Sequence, residues 1–414
     1  MLGGLTIRGR CLLAAGAAAA ICALVLDERD LLRVAAFATA LPLLALGMSA
    51  RARLGVDARR EVSPPRLPAG ERTTVRLHLS ARGRLPAGGL ALEDGLPHSL
   101  GRRPKFRLET VNRTAPPVLE YPVVARMRGI HRIGPLRTRV DDPLGLSEFD
   151  RELAGTSRLV VVPRVVELSG LPVGSGLGTG EDGSARLRSG HGEDDTMVRQ
   201  YRHGDDIRRV HWKTTARRDE LMVRAEERPW HGGVTVLLDR RSAAHRGTGP
   251  HASLEWAVSA AASIYLHVRR QGRPAHLVTE DGARLASPAA EPDTVLDSLA
   301  ALRSSTHRDL VCHSDPGDGQ ELVAVLGEIT TAAVRELTAL RPEGSTSLAL
   351  LLDTRAWAGL PVGGPGPDTA AQRLRAAGWS VVVVPGEQAS VAAMWQQLCD
   401  EPAVPAARVP ENEL

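Results

Sequence analysis

The stretch VRQYRHGDDIRRVHWKTTARRDELMVRAEE, residues 198–227, crowds acids, bases, a histidine and a tryptophan into one short run. His211 can act as a general base oriented by Asp205 or Asp206, the chemistry of a hydrolase or a cell-wall-related enzyme. No obvious nucleophile stands beside it, so catalysis is the alternative and not the leading reading. The leading reading is architectural, a charged clasp of Arg and Asp/Glu pairs. Gly204 followed by Asp205 and Asp206 is a turn signal whose carboxylates can cap a helix starting near Ile207. On such a helix Arg209, Lys213 and Arg217 fall on one face at successive i, i+4 steps, and Arg and Trp are also the residues that anchor protein interfaces. Trp212 is expected to bury its ring, and residues 220–227 to lead into the following sheet as an edge strand. Nucleic-acid binding is disfavoured, because acids interleave the bases and aromatic residues make up only 3% of the chain.

The elements that must position this run follow it. VTVLLD after Gly233 reads as a strand ending in Asp239, and residues 252–270 as an amphipathic helix. Strands are expected at 274–280, 322–329, 345–353 and 380–386, with helices near 294–302, 370–377 and 391–398. Continuous apolar strands alternating with helices indicate a largely parallel sheet covered on both faces. Ligands of such sheets bind beyond the carboxyl ends of the strands, which draws attention to Asp239 and Asp353.

Upstream, residues 61–172 alternate at period two between Pro- and Gly-rich turns. That pattern predicts a small β-sandwich-like domain, with residues 158–168 among its strands. Residues 173–197, rich in Gly, Ser and charge, read as a linker, and 401–414 as a disordered tail. At the start, apolar runs at 11–26 and 31–50 flank the charged turn DERD. They predict a two-pass transmembrane hairpin over residues 1–60. Arg8 and Arg10 before it, and Arg51, Arg53, Arg59 and Arg60 after it, put both termini and the bulk of the chain in the cytoplasm by the positive-inside rule. The 414 residues carry a net charge of +4, with 43% hydrophobic and 24% charged residues, the composition of a chain with real cores. Cys11, Cys22, Cys312 and Cys399 lack the spacing of a zinc site or a disulfide framework.

Tyr201, Gly204, Asp205, Asp206, Arg208, Arg209, His211, Trp212, Lys213, Arg217, Arg224 and Glu226 resemble the signature of the bacterial domain of unknown function 58 family. RGIHRIGPLRTRVDDPLGL at 128–146 and LVVVPRVVEL at 159–168 resemble the stretch before that signature, and the paired apolar segments match as well. The resemblance implies an α/β von Willebrand A-like (Rossmann-type) domain at 233–400 preceded by the signature segment at 198–232. It implies as partners a MoxR-type AAA+ ATPase and a transglutaminase-like membrane protein. It names no activity, and the expectation is a non-enzymatic interaction or assembly module without a cofactor.

A metal-ion adhesion site in a von Willebrand A-type domain needs Asp-x-Ser-x-Ser after its first strand, two hydroxyls completing an oxygen shell. Here Arg241 and Ala243 stand at the hydroxyl positions after Asp239. Arginine only donates and repels a cation, so this is read as a degenerate site that holds no metal.

Overall fold

The computed structural model describes residues 4–51, 56–81, 90–108, 116–141, 144–172, 198–200, 215–216, 222–224, 233–310, 321–339, 347–359 and 366–401. The chain divides into two units, Met1–Val162 and Pro163–Leu414.

The first unit begins with α1 (Ile7–Leu26) and α2 (Arg29–Arg51), each long and apolar enough to cross a membrane. They borrow flanking residues to exceed the apolar runs, as 20-residue spans require. Asp27, at φ 50, closes α1 through its N–H to the Ala23 carbonyl, so the chain reverses at once. Gly16 lets the helices meet: a Cβ there would lie 2.5 Å from Thr39 Oγ1 and 2.9 Å from the Thr39 amide. Pro42 sits within α2 without ending it.

Among the described residues ten short strands follow: β1 (Val56–Ser63), β2 (Arg66–Pro68), β3 (Arg72–Ala81), β4 (Leu90–Asp94), β5 (Lys105–Leu108), β6 (Val118–Val124), β7 (Gly129–Ile133), β8 (Leu136–Asp141), β9 (Glu148–Ala154) and β10 (Ser157–Val162). They form sheets ordered β1-β3-β6, β2-β10-β7 and β5-β4-β8-β9. On β3, Thr73, Val75, Leu77 and Leu79 are buried in strict alternation, and the three aliphatic ones share a core with Leu90, Leu92, Ile133, Leu136, Leu159 and Val161. Asp94 is buried at the edge of this core and accepts hydrogen bonds from Tyr121 Oη at 2.6 Å and Arg60 Nε at 3.1 Å. Arg60, read from the sequence as a membrane-flanking charge, is therefore spent inside this domain.

The expected strand over 158–168 is cut short. β10 ends at Val162 because Pro163 has no N–H to continue a ladder. Residues 163–172 run as an extended strap on the second unit. Val165, Val166, Leu168 and Leu171 pack against its core, Val166 N–H donates to Ser263 Oγ at 2.9 Å, and Gly170 O accepts from Trp395 Nε1 at 3.3 Å.

In the second unit β11 (Val198–Gln200) and β12 (Met222–Arg224) pair antiparallel as a separate two-stranded sheet. Of residues 220–227, expected as an edge strand of the following sheet, only Met222–Arg224 are described, and they pair with Val198–Gln200 of the signature segment instead. The main sheet contains β13 (Val234–Leu238), β14 (Ala275–Thr279), β15 (Arg284–Ala286), β16 (Glu321–Leu326), β17 (Ser347–Leu352) and β18 (Trp379–Val384), in the order β15-β14-β13-β16-β17-β18. All neighbours are parallel except β15, which runs antiparallel at one edge.

The helices are α3 (Ser253–Arg270), α4 (Pro292–Ala301), α5 (Thr331–Ala339), the single turn α6 (Thr354–Trp357), α7 (Pro367–Ala376) and α8 (Val391–Asp400). α3, α4 and α8 cover one face, where Val234, Val236 and Leu238 point; α5 and α7 cover the other, with Leu237, Ala324 and Leu351. Burial on both faces explains why these strands read as unbroken apolar runs. α5 has no counterpart in the sequence reading.

Candidate functional site

The order of the sheet reverses between β13 and β16, so the loops beyond their carboxyl ends form the natural crevice. Asp239 follows β13 directly and is fully buried. Its Oδ1 accepts from the Arg241 amide at 3.1 Å and from Arg241 Nε at 2.9 Å, and its Oδ2 accepts from Arg241 Nη2 at 2.8 Å. Gly327 N–H, at the end of β16, donates to Oδ2 at 3.4 Å. The other face of the guanidinium is used too: Nη1 donates to Arg308 O at 3.0 Å and Nη2 to Glu328 O at 3.3 Å. Burial alone would lower the Arg241 pKa, but hydrogen bonds and charge from Asp239, helped by Glu280 and Asp309, outweigh it and raise it. The guanidinium thus stays charged and ties three loops to one carboxylate.

Gly327 permits this closeness. A Cβ there would lie 2.2 Å from the Ala244 carbonyl, which instead accepts the Glu328 N–H at 2.8 Å. Ala243 lies in the 3-10 turn Ser242–Ala244 and supplies only its carbonyl, to Arg246 Nη1 at 2.6 Å.

The same device recurs at the end of β17. Asp353 Oδ1 accepts from the Arg355 amide at 3.3 Å and from its Nε at 2.8 Å, and Oδ2 accepts from Nη2 at 2.8 Å. The Arg355 hydrogen bonds, against a smaller opposing effect of burial, hold the Asp353 carboxyl below its ordinary range. Gly366 makes room, because a Cβ would lie 2.5 Å from Arg355 Nη2. Arg355, Thr330, Thr331 and Arg373 line a cavity of about 410 Å³ between the first turns of α5 and α7, floored by Leu351 and Leu352.

At the end of β14 a third group of acids meets Arg240. Its amide donates to Glu280 Oε2 at 3.2 Å and its Nη2 to Asp281 Oδ2 at 2.7 Å. Burial would raise the Asp281 pKa, but Thr279, the Ala283 amide and Arg240 together lower it. Glu280, Asp281 and His307 offer ligand atoms within 4.8 Å of one another. A cation placed there would face the Arg240 guanidinium, which hydrogen-bonds Asp281 and lies 3.4 Å from Glu280 Oε2, so the arrangement favours ion pairing over metal binding.

His245 is the nearest approach to catalytic geometry among the described residues. Its Nε2 lies 2.8 Å from the Asp239 carbonyl, which can only accept, so Nε2 carries the proton and Nδ1, 3.0 Å away, accepts from Ser253 Oγ. Burial lowers the His245 pKa and favours this neutral tautomer. Ser253 is fully buried and its oxygen also accepts the Arg246 N–H at 2.9 Å. No substrate can reach that hydroxyl; the pair fastens the β13 loop to the start of α3. The Gly-x-Gly-x-x-Ala spacing at 247–252 does not make a dinucleotide cradle either. It is set apart from β13 by the clasped loop, and the Ser253 amide is occupied by Arg246 O at 3.0 Å.

Of the residues singled out in the signature, Arg224 lies on β12, opposite Val198. Tyr201, Gly204, Asp205, Asp206, Arg208, Arg209, His211, Trp212, Lys213, Arg217 and Glu226 lie outside the described residues, as do the linker at 173–197 and Cys312. Arg240, His245, Glu280 and Arg355 were missed by sequence reasoning. The repeat of Asp-x-Arg at 239–241 and 353–355, each just after an apolar strand, was a signal that could have found the last of these.

Residues 197–340 match the family model described as protein of unknown function DUF58. The match begins at the signature segment and extends through β13, β16 and α5, so it takes in the Asp239 clasp. The chain is also similar to the uncharacterized protein YeaD of Bacillus subtilis (strain 168), with 26% identity over 250 residues. That similarity covers 57% of this chain and 59% of the relative, less than two thirds of its length.

Proposed function

We propose that this chain is a membrane-anchored, non-enzymatic interaction or assembly module whose α/β domain is von Willebrand A-like and works without a divalent cation. The observation that carries this reading is the Asp239–Arg241 clasp. At the carboxyl end of the first strand, where an adhesion-type domain holds its metal with a carboxylate and hydroxyls, both carboxylate oxygens are taken by a buried guanidinium. The sheet order, with β13 central and β15 antiparallel at the edge, agrees with a von Willebrand A-like domain. The β-rich region is read as its sandwich-like companion. Ile21, Leu24, Val25, Phe37, Leu43 and Leu44 are exposed on α1 and α2, which favours a membrane around the hairpin. The arginine bias supports a cytoplasmic location for both termini.

The proposed partners are a MoxR-type AAA+ ATPase and a transglutaminase-like membrane protein, and docking through Arg209 and Lys213 is the alternative to the structural clasp that the signature segment is first read as. Crosslinked capture from membranes tests this with wild type and an Arg209→Glu, Lys213→Glu variant whose fold is verified by circular dichroism. The expected outcome is recovery of the ATPase with wild type and its loss with the folded variant. Equal recovery by both removes the signature face from the interface, and no ATPase with either removes that partner.

A further inference from the structure

The turn between β8 and β9 is fastened to the open end of the helical hairpin. Thr6 Oγ1 donates to Gly145 O at 2.7 Å, the Thr6 amide donates to Leu146 O at 3.0 Å, and Ser147 Oγ donates to Ala45 O at 3.2 Å. Leu5 and Ser147 form an isolated antiparallel bridge. Gly9 lets the turn come this close, since a Cβ would lie 2.1 Å from the Leu146 carbonyl. These contacts fall at the ends of the apolar spans, which run over Ile7–Leu26 and Arg29–Gly47.

Apolar side chains at this level are exposed to solvent. Leu144, in the turn, is 59% exposed, and Ile7, in the first turn of α1, is 80% exposed. Arg8 and Arg10 are exposed beside them, and Arg8 Nη1 reaches within 3.9 Å of the position a Gly145 Cβ would take. Apolar groups next to arginines at the end of a spanning hairpin match the two layers of a bilayer surface, acyl chains and anionic headgroups.

We propose that the Leu144–Gly145–Leu146 turn is a membrane-interface contact of the β-rich domain, with Leu144 entering the boundary between headgroups and acyl chains and Arg8 and Arg10 binding the phosphates of anionic phospholipid. The occupant is a phospholipid surface, continuous with the bilayer around α1 and α2, and the inference rests on the membrane-anchor reading above. In consequence the β-rich domain is seated on the membrane through two chain segments far apart in sequence.

The test uses the full chain in vesicles of phosphatidylcholine with and without phosphatidylglycerol, each doped with a phospholipid carrying a diazirine close to its headgroup. After photolysis, adducts are mapped by mass spectrometry of peptides. The expected result is adducts at 144–146 together with adducts on both helices. Yield at the turn should rise when phosphatidylglycerol is present, and that rise should be lost in Arg8→Ala. Leu144→Asp should lower the yield at the turn severalfold while leaving the helix adducts unchanged. Adducts on both helices with none at the turn overturn the interface contact but keep the anchor. Absence of adducts on the helices overturns the anchor reading, and this inference with it.

Discussion

The guanidinium of Arg241 donates Nε to one carboxylate oxygen of Asp239 at 2.9 Å and Nη2 to the other at 2.8 Å, from only two residues further along the chain. Both side chains are almost wholly removed from water, at 2% and 0% exposure. The pair therefore acts as a fixed structural element at the point where the sheet order reverses.

Removing one partner should be costly. Arg241→Ala leaves a buried carboxylate with amide donors only, and an uncompensated buried charge costs about 3–5 kcal/mol. The apparent unfolding midpoint of the α/β unit, followed by differential scanning fluorimetry, is expected to fall clearly in Arg241→Ala and to recover in part in Asp239→Leu, Arg241→Met. An unchanged midpoint in the single variant would show that the clasp contributes little.

The matching clasp at Asp353 is partly open to solvent, with 17% exposure for Asp353 and 22% for Arg355, against 0% and 2% at Asp239 and Arg241. Screening limits it, so Arg355→Ala is expected to lower the apparent unfolding midpoint by less than Arg241→Ala does at neutral pH. Because Arg355 lowers the Asp353 pKa, this contribution is present above the unfolded value of 3.8 and is lost as pH falls through the lower folded value. Wild type and variant should therefore converge in acid. A difference that grows on acidification would contradict the assignment.

Glu321 has the opposite sign. It opens β16, is 4% exposed, and burial pushes its carboxyl up to about 8, with Arg273 opposing the shift. Below 4.5 it is protonated folded or unfolded, so burial carries no ionisation penalty there. As pH rises toward 8 the unfolded chain releases the proton and the folded one retains it, so stability declines. Glu321→Gln is expected to stabilise the α/β unit by roughly 3 kcal/mol near neutral pH and not at all in acid. Thermal melts of both proteins across that range provide the check.

The α/β sheet was legible because its strands are buried on both faces: VTVLLD, STSLALLLD and SVVVV carry enough aliphatic residues to be recognised without their partners. The hairpin was legible for the same reason, as uninterrupted apolar length. The strap at 163–172 was not, because VVEL reads as a strand whether its backbone pairs in a sheet or lies against helices, and only Pro163 marked the change. α5 was hidden by its nine residues, TAAVRELTA, in which Ala333, Val334 and Leu337 give too short a stripe to stand out. At the site, Asp239 was found through its place after a strand. Arg240 and Glu280 meet across two strands, Glu280 having been placed from sequence only as the last residue of an unremarkable one.

Calorimetric titration of the wild-type protein with Mg²⁺ decides whether the Asp239–Arg241 clasp excludes a divalent cation. With Arg241 holding both oxygens of Asp239, the account predicts no saturable heat at the β13 loop. Stoichiometric binding that disappears in Asp239→Asn, with the fold of that variant intact, would contradict it and return the α/β domain to the metal-dependent class.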